Sequence, residues 1–257
     1  MAEQKTGTRV RGRAFIALAI AASLIVGALI GWIMTEAFDD SDDSGTPDEP
    51  YLPSIDPDNF SNNVDNEFFP LIPGTTTIFE GDTDEGLERI EVTVLSETKV
   101  VMGVTCVVVR DTVSLDGEVT EDTLDWYAQD DEGNVWYMGE DSKEYKDGVV
   151  VSTAGSWEAG VDGALPGIVM LANPLVGVTY RQEYYEGEAE DMAQVVTLDA
   201  NASVAYGEFQ DLLMTSEWNP LEPGVVEHKY YAEGIGIVLE VMVEGGSERV
   251  ELIQITN

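Results

Sequence analysis

Acidic side chains are the most obvious candidates for chemistry in this sequence, because they are numerous and because several crowd one segment. The segment EYYEGEAEDM holds five carboxylates within nine residues, and oxygen ligands of this kind suit Ca²⁺ or Mg²⁺. A solvated acidic turn is the competing interpretation, since metal binding needs carboxylates that converge in space. The predicted metal ligands, with Ca²⁺ as the possible cofactor, are Glu183, Glu186, Glu188, Glu190 and Asp191.

Aromatic residues form the second candidate site. Residues 125–141 read DWYAQDDEGNVWYMGED, with a Trp-Tyr pair on each side of a polar turn. A two-residue turn at 132–133 would place Tyr127, Trp136 and Met138 on one face of a hairpin. A three-residue turn with a bulge would instead place both tryptophans on one face. The predicted residues of a hydrophobic ligand site are Tyr127, Trp136, Met138, Trp157, Trp218 and Tyr230.

Signatures of catalysis are weak, and we assign no catalytic residue. The single histidine, His228 in GVVEHKYYAEGIG, has no nucleophile-elbow pattern to accompany it. On a strand, Glu227 and Lys229 would form an ordinary charge pair on the face opposite His228. A carboxylate pair of the glycosidase kind will occur by chance among so many acids, so a hydrolase ranks third among the functions.

The single cysteine, Cys106 in VTCVVVRD, excludes a disulfide within the chain and a metal site of paired cysteines. The apolar alternation around it predicts a thiol buried in a strand.

The charge is strongly one-sided, with 50 acidic and 12 basic residues and a formal net charge of −38. Such a surface repels nucleic acids and anionic lipids, so nucleic acid is excluded as a partner. Two interpretations of the acidity remain, a surface kept soluble in concentrated salt and a surface that collects divalent cations. The even spread of carboxylates along the chain favours the first.

The amino-terminal region predicts a membrane anchor. Residues 1–13 form a basic tail, and residues 14–34 form an uncharged apolar run that is long enough to span a bilayer core of about 30 Å. The run is longer than the apolar region of a cleavable signal peptide. Since the basic residues precede it and acidic residues follow it, we expect the amino terminus in the cytoplasm and the rest of the chain outside, on a single-pass anchor in the cell membrane.

Residues 35–66 are acidic, carry several prolines and lack periodic apolar positions, so they predict an extended linker. Residues 67–257 then predict one all-β domain. Glycine-bearing turns alternate with segments such as RIEVTVL, VTCVVVRDTVSL and GIVLEVMVE, the pattern of an antiparallel meander. About ten strands in one meander must curl, so we expect a barrel, a half-barrel or a two-layer sandwich.

One long loop, at 153–177, interrupts this pattern. Its apolar part, LPGIVMLANP, could form a short helix that covers the open mouth of the sheet, or a plug that completes the core.

The phrases DTLDWYAQDDEGNVWYMGED, STAGSWEAGVDGALPG, YRQEYYEGEAEDM and LEPGVVEHKYYAEGIG resemble those of a group of exported, membrane-anchored bacterial and archaeal β-rich proteins without an established activity. A meander that ends in YYAEGIGIVLE is also similar, more loosely, to half-barrel lipoprotein-carrier domains. That second likeness implies a concave apolar face for a lipid-like ligand.

We therefore expect an extracytoplasmic, non-enzymatic domain that binds a hydrophobic or amphipathic small molecule, with residues 153–177 closing the cavity. The alternative is an acidic structural or divalent-cation-binding protein of the cell surface that is adapted to high salt.

Overall fold

The computed structural model describes residues 51–83 and 85–257. The predicted basic tail, transmembrane helix and first half of the linker lie outside the described residues. Within the part that is described, no helix is both long enough and apolar enough to cross a membrane.

One short 3-10 helix, Pro57–Asn59, precedes the strands in the described part of the chain. The strands of its first half are β1 (Phe60–Ser61), β2 (Val64–Asn66), β3 (Phe69–Leu71), β4 (Thr76–Thr83), β5 (Gly86–Val101), β6 (Val104–Leu115), β7 (Glu118–Asp130), β8 (Val135–Lys146) and β9 (Val149–Ser152). Those of its second half are β10 (Trp157–Glu158), β11 (Leu165–Met170), β12 (Thr179–Arg181), β13 (Glu183–Tyr184), β14 (Met192–Val204), β15 (Gly207–Trp218), β16 (Val226–Ala232), β17 (Gly236–Glu244) and β18 (Arg249–Thr256).

Thirteen of these strands form one antiparallel path, in the order β12-β14-β15-β16-β17-β18-β4-β5-β6-β7-β8-β11-β13. The strands at its two ends, β12 and β13, are consecutive in the chain and are separated only by Gln182. They bring the two edges of the sheet together, so the sheet curls into a nearly closed barrel. The predicted all-β antiparallel class is confirmed, and the barrel is the form that it takes.

Tight turns with positive φ join the long strands. Asp116 and Gly117, at φ 50° and 85°, connect β6 to β7, and Asp147 and Gly148, at φ 54° and 73°, connect β8 to β9. Two consecutive positive φ angles match the right-handed twist of a hairpin, and Asp-Gly adopts them readily. These turns lie where the sequence predicts them.

The segment 153–177 contains strands and not the predicted helix. Its LPGIVM part is β11, which pairs with the beginning of β8, while β10 pairs with Gly139 and Glu140 in the middle of β8 and β9 pairs with the end of β8. Three short strands therefore cover one edge of β8. An uncovered edge would leave a row of backbone groups unpaired, so pairing there is favoured over a helix.

Residues at the end of the predicted linker form strands and pack on the barrel. Strand β1 pairs with β7, and β2 pairs with β3 in a small separate hairpin. Phe60 packs edge to face on Trp136 with ring centroids 6.0 Å apart, and Val64 is buried in the core. These apolar contacts hold the end of the predicted linker against the barrel.

Candidate functional site

The interior of the barrel changes character from one end to the other. Strand β16 buries three inward-facing side chains, which are Tyr231 near its end and then Lys229 and Glu227 towards its beginning. Along β5, the buried Val92 is likewise followed, towards the same end, by Glu88. The strand register aligns these changes around the barrel, so one half of the interior is apolar and the other half is acidic.

We use the name acidic interior for ten buried carboxyl groups and the one buried ammonium among the described residues. An isolated buried carboxylate is costly, so a cluster of this size must be neutralised by protons, by counter-charges or by hydrogen-bond donors. The members of the acidic interior are Glu88, Asp111, Glu121, Asp125, Glu140, Glu183, Asp191, Glu217, Glu227, Glu240 and Lys229.

The Tyr137 hydroxyl lies between two of these carboxyl groups, 2.7 Å from Asp125 Oδ1 and 3.0 Å from Glu140 Oε2. A phenol has one proton to donate, so the second short contact needs a proton on a carboxyl group. Burial raises the pKa of Asp125 to about 7. Burial, together with the charge of Asp125, raises the pKa of Glu140 well above its usual value. This group of three side chains therefore holds a shared proton near neutral pH.

Two further pairs of carboxyl groups are hydrogen-bonded directly to each other, Glu183 with Asp191 and Glu227 with Glu240. Such a bond requires a proton on one partner. Burial, reinforced by the charge of the partner, raises the pKa of Glu183 and that of Glu240 well above the usual value. The indole Nε1 of Trp157 donates to Glu183 Oε2 at 2.9 Å.

Lys229 is the counter-charge at the centre of the acidic interior. Its Nζ lies 3.1 Å from Glu217 Oε2 and 3.8 Å from Glu240 Oε2, and all three side chains are 7% exposed. Burial by itself would lower the pKa of Lys229, but the surrounding carboxylates, of which Glu217 has the largest effect, raise it above its usual value. The ammonium therefore stays charged and offsets part of the carboxylate charge.

Asp111 is the least compensated member. Both of its carboxyl oxygens are buried without a hydrogen-bond partner among the described residues, as are one oxygen of Asp125, one of Glu240 and the Tyr127 hydroxyl. Burial first, and then the charge of Asp125, raise the pKa of Asp111 well above its usual value. A neutral carboxyl group costs much less to bury than a carboxylate, so burial favours the protonated form of Asp111.

The apolar half of the interior contains a cavity of about 220 Å³ that opens beside the β2-β3 hairpin. Its walls come from β3, β4, β5, β17, β18 and the turn between β16 and β17. We call it the apolar cavity, and the residues that line it are Phe69, Pro70, Leu71, Ile72, Thr75, Thr77, Phe79, Val92, Val94, Gly234, Ile235, Gly236, Ile237, Ile255 and Asn257.

The aromatic residues predicted as a ligand site do not form one surface. The loop between β7 and β8 has four residues, and the register places Tyr127 opposite Tyr137 and Trp136 opposite Ala128. Tyr127 and Trp136 therefore face opposite sides of the hairpin. The predicted two-residue turn, which would place them on one face, is wrong. Tyr127 stacks on Tyr137 in the core with ring centroids 5.0 Å apart.

The other predicted aromatic and thioether side chains lie apart from the apolar cavity as well. Met138 and Trp157 are buried, whereas Trp136, Trp218 and Tyr230 are half-buried. The Trp136 indole donates to Asp130 Oδ2 at 2.8 Å. Trp218 comes directly after the inward-facing Glu217 on β15, and Tyr230 lies between the inward-facing Lys229 and Tyr231 on β16. Of the six predicted residues, Trp157 lines a groove on the wall beside β8.

The predicted metal ligands are divided between the interior and the surface. Glu183 and Asp191 are buried and share a proton, Glu190 is half-buried, and Glu186 and Glu188 are exposed. Throughout residues 51–83 and 85–257, no three acidic, histidine or cysteine side chains are arranged to hold a metal ion. The five carboxylates are close in sequence but do not converge.

Sequence reasoning missed most of the acidic interior. Glu227 and Lys229 are not the ordinary charge pair expected on β16, because Lys229 is buried against Glu217 and Glu240 of the neighbouring strands. One signal was available: Glu227, Lys229 and Tyr231 alternate along one strand face with an aromatic residue at its end. Cys106, in contrast, is buried in β6 as predicted, and burial raises the pKa of its thiol to about 12.

No protein-family model matches the chain, and no curated protein is significantly similar to it. Among solved structures, the chain is similar to the crystal structure of a protein from Parabacteroides distasonis ATCC 8503 that is described as a lipoprotein. The two share 10% sequence identity with a TM-score of 0.40, over 74% of this chain and 99% of the other.

Proposed function

We propose that the barrel is a non-enzymatic binding domain that holds a small hydrophobic or amphipathic molecule in the apolar cavity. The observation that carries this proposal is the cavity itself, which is walled by aromatic and aliphatic side chains and opens at the surface. Ligand sites are commonly apolar concavities with a few polar groups at fixed positions, often at the mouth of a barrel.

The size of the apolar cavity limits the ligand. At about 220 Å³ it is larger than a cavity of about 150 Å³ that accommodates benzene, and smaller than most pockets for drug-sized molecules. One aromatic ring or a short alkyl chain fits this space. A larger amphiphile would insert only its apolar end.

The polar part of the ligand would lie at the rim. Thr75 Oγ1 donates to Asn257 Oδ1 at 3.0 Å, and both residues line the opening. No charged side chain is among the lining residues, and the strongly acidic chain disfavours an anionic head group. A neutral alcohol or amide head group fits best.

We place this domain outside the cell, held at the membrane by the apolar run at 14–34. The proposal rests on the basic residues before that run and the acidic residues after it. Cleavage at an engineered protease site in the linker of intact cells, with release of the domain into the medium, tests the placement.

Photolabelling tests the ligand proposal. The full-length chain in lipid nanodiscs is irradiated with a neutral alkanol that bears a diazirine, and the adducts are mapped by peptide mass spectrometry. We expect saturable adducts on residues of β3, β4 and β17 that line the cavity. Ile255→Trp fills the cavity and should remove most of them, whereas Val119→Trp, at an exposed position near the start of β7, should leave them unchanged. Adducts spread over the surface and insensitive to Ile255→Trp would exclude this ligand class.

A further inference from the structure

We infer that the groove on the wall beside β8 is a second binding site and that its ligand is an organic ammonium ion. The groove has a volume of about 390 Å³ and shares no lining residue with the apolar cavity. It lies where short strands replace one long strand along the edge of β8. Trp126 of β7, Glu140 of β8 and Trp157 and Glu158 of β10 contribute to its walls.

The charge of the groove favours a cation. Four carboxyl groups line it, and Lys99 is the one basic side chain among its lining residues. The four are Glu140, Asp141, Glu158 and Asp162. A concave site lined by one sign of charge concentrates the opposite charge, so a cation is attracted and an anion is repelled.

The aromatic walls favour an organic cation over a metal ion. Trp126, Trp157 and Tyr185 line the groove, and aromatic rings attract ammonium groups through their negatively polarised faces. Within the described ranges, no set of three acidic, histidine or cysteine side chains is placed to bind a metal. Val161 and Ala164 add apolar surface that suits the carbon skeleton of such a ligand.

The chain already binds an ammonium group of its own in this groove. The Nζ of Lys99 lies 3.4 Å from the centroid of the Trp126 ring and 2.7 Å from Glu158 Oε2. The combination of an aromatic face and a carboxylate is the arrangement that recognises alkylammonium ions. Lys99 keeps about a third of its side chain exposed, so it can leave when a competing cation enters.

A buried carboxyl group at the floor provides a deeper contact. Glu140 is 3% exposed, lines the groove and accepts from or shares a proton with the Tyr137 hydroxyl at 3.0 Å. The same hydroxyl contacts Asp125, whose second oxygen is buried without a partner among the described residues. A new donor at Glu140 would therefore be shared with a carboxyl pair that still has acceptor capacity.

Calorimetric titration of the full-length chain with benzylammonium tests this inference, with benzyl alcohol as the neutral analogue. We expect saturable binding of one benzylammonium per chain that responds to substitutions in the groove, whereas any binding of benzyl alcohol, which also suits the apolar cavity, should not respond to them. Glu140→Gln replaces the floor carboxyl group, an acceptor for the ammonium, with an amide and should weaken binding by about tenfold, in keeping with the loss of one charge-assisted hydrogen bond. Lys99→Met removes the internal competitor while it keeps the side-chain stem, and should tighten binding by about threefold to tenfold.

Glu118→Gln is the matched control, because it makes the same substitution at an exposed position at the start of β7. Equal weakening by Glu118→Gln and Glu140→Gln would show that the cation only screens the acidic surface, and this would overturn the inference. Lys99→Met alters a half-exposed side chain, so the variant should fold even if Glu140→Gln does not. Unchanged or weaker binding to a folded Lys99→Met chain would also overturn it.

Discussion

The two halves of the barrel interior are built by the same strands but are stabilised by different physics. In the apolar half, Phe79, Val92 and Ile237 are buried, and the stabilisation comes from apolar area removed from water at any pH. In the acidic half, the same strands bury Glu88 and Glu240, and stability depends on protons and on one lysine. The barrel wall therefore fixes where side chains point, while their chemistry decides what keeps each half together.

The largest expected effect is that of Lys229→Met. The substitution removes the ammonium between Glu217 and Glu240 and leaves two buried carboxyl groups without their counter-charge. We expect the free energy of unfolding, measured by urea denaturation, to fall by about 3–5 kcal/mol. Acid should lessen the loss, because protonated carboxyl groups do not need the lysine.

Lys146→Met is the control for this change, since Lys146 is exposed at the end of β8. We expect it to alter stability by less than about 0.5 kcal/mol. Equal effects of the two substitutions would mean that the buried ion pairs contribute no more to the free energy of unfolding than an exposed lysine does. Adding Glu217→Gln to Lys229→Met should restore part of the lost stability, because one unpaired charge is removed.

A second prediction concerns pH. The pKa of Glu88 is raised to about 7 by burial and by neighbouring carboxylates, and burial raises the pKa of Asp125 to about 7. The folded state therefore binds more protons than the unfolded state, whose carboxyl groups have pKa values near 4. This contribution to stability is complete below about pH 4 and is lost as the pH rises through about 7.

The free energy of unfolding should accordingly fall by about 5 kcal/mol between about pH 5 and about pH 8, since Glu88 and Asp125 each retain a proton over about two pH units and each such proton is worth about 1.4 kcal/mol per pH unit. The measurement is made in about 1 M NaCl, which screens exposed charges to within about 3 Å. Asp111→Asn should make the decline shallower, whereas Asp82→Asn, at an exposed position, should not. A pH-independent stability would contradict the protonated interior.

The sequence predicts local features of this fold well. Asp116-Gly117 and Asp147-Gly148 mark hairpin turns because the conformation required is set by two residues alone. The long β14-β15 hairpin is harder to predict, since its MAQVVTLDANASV strand mixes small and polar residues and has register shifts that weaken the alternation. Closure by β12 and β13 was also beyond prediction, because it depends on pairing between distant segments.

The acidic interior could not be predicted for the same reason. Asp111, Glu121 and Asp125 look in the sequence like the many exposed acids around them. Only the closed barrel determines that their side of β6 and β7 faces inward, and only the neighbouring strands supply Tyr137 and Lys229. The apolar cavity has a comparable origin, because its walls come from four separate parts of the chain.

The smallest predicted effects come from a matched pair of hydroxyl deletions, one in each half. In the acidic half, the buried Thr123 hydroxyl donates to Glu121 Oε1 at 2.9 Å and lies 2.9 Å from Ser142 Oγ. Thr123→Val should cost about 1–2 kcal/mol, because buried polar atoms lose their partner. Thr77→Val, at the half-buried wall of the apolar cavity, should change the free energy of unfolding by less than about 0.5 kcal/mol. Urea denaturation of both variants at the same pH measures the difference. Equal losses in the free energy of unfolding would mean that buried hydrogen bonds contribute no more to the acidic half than to the apolar half.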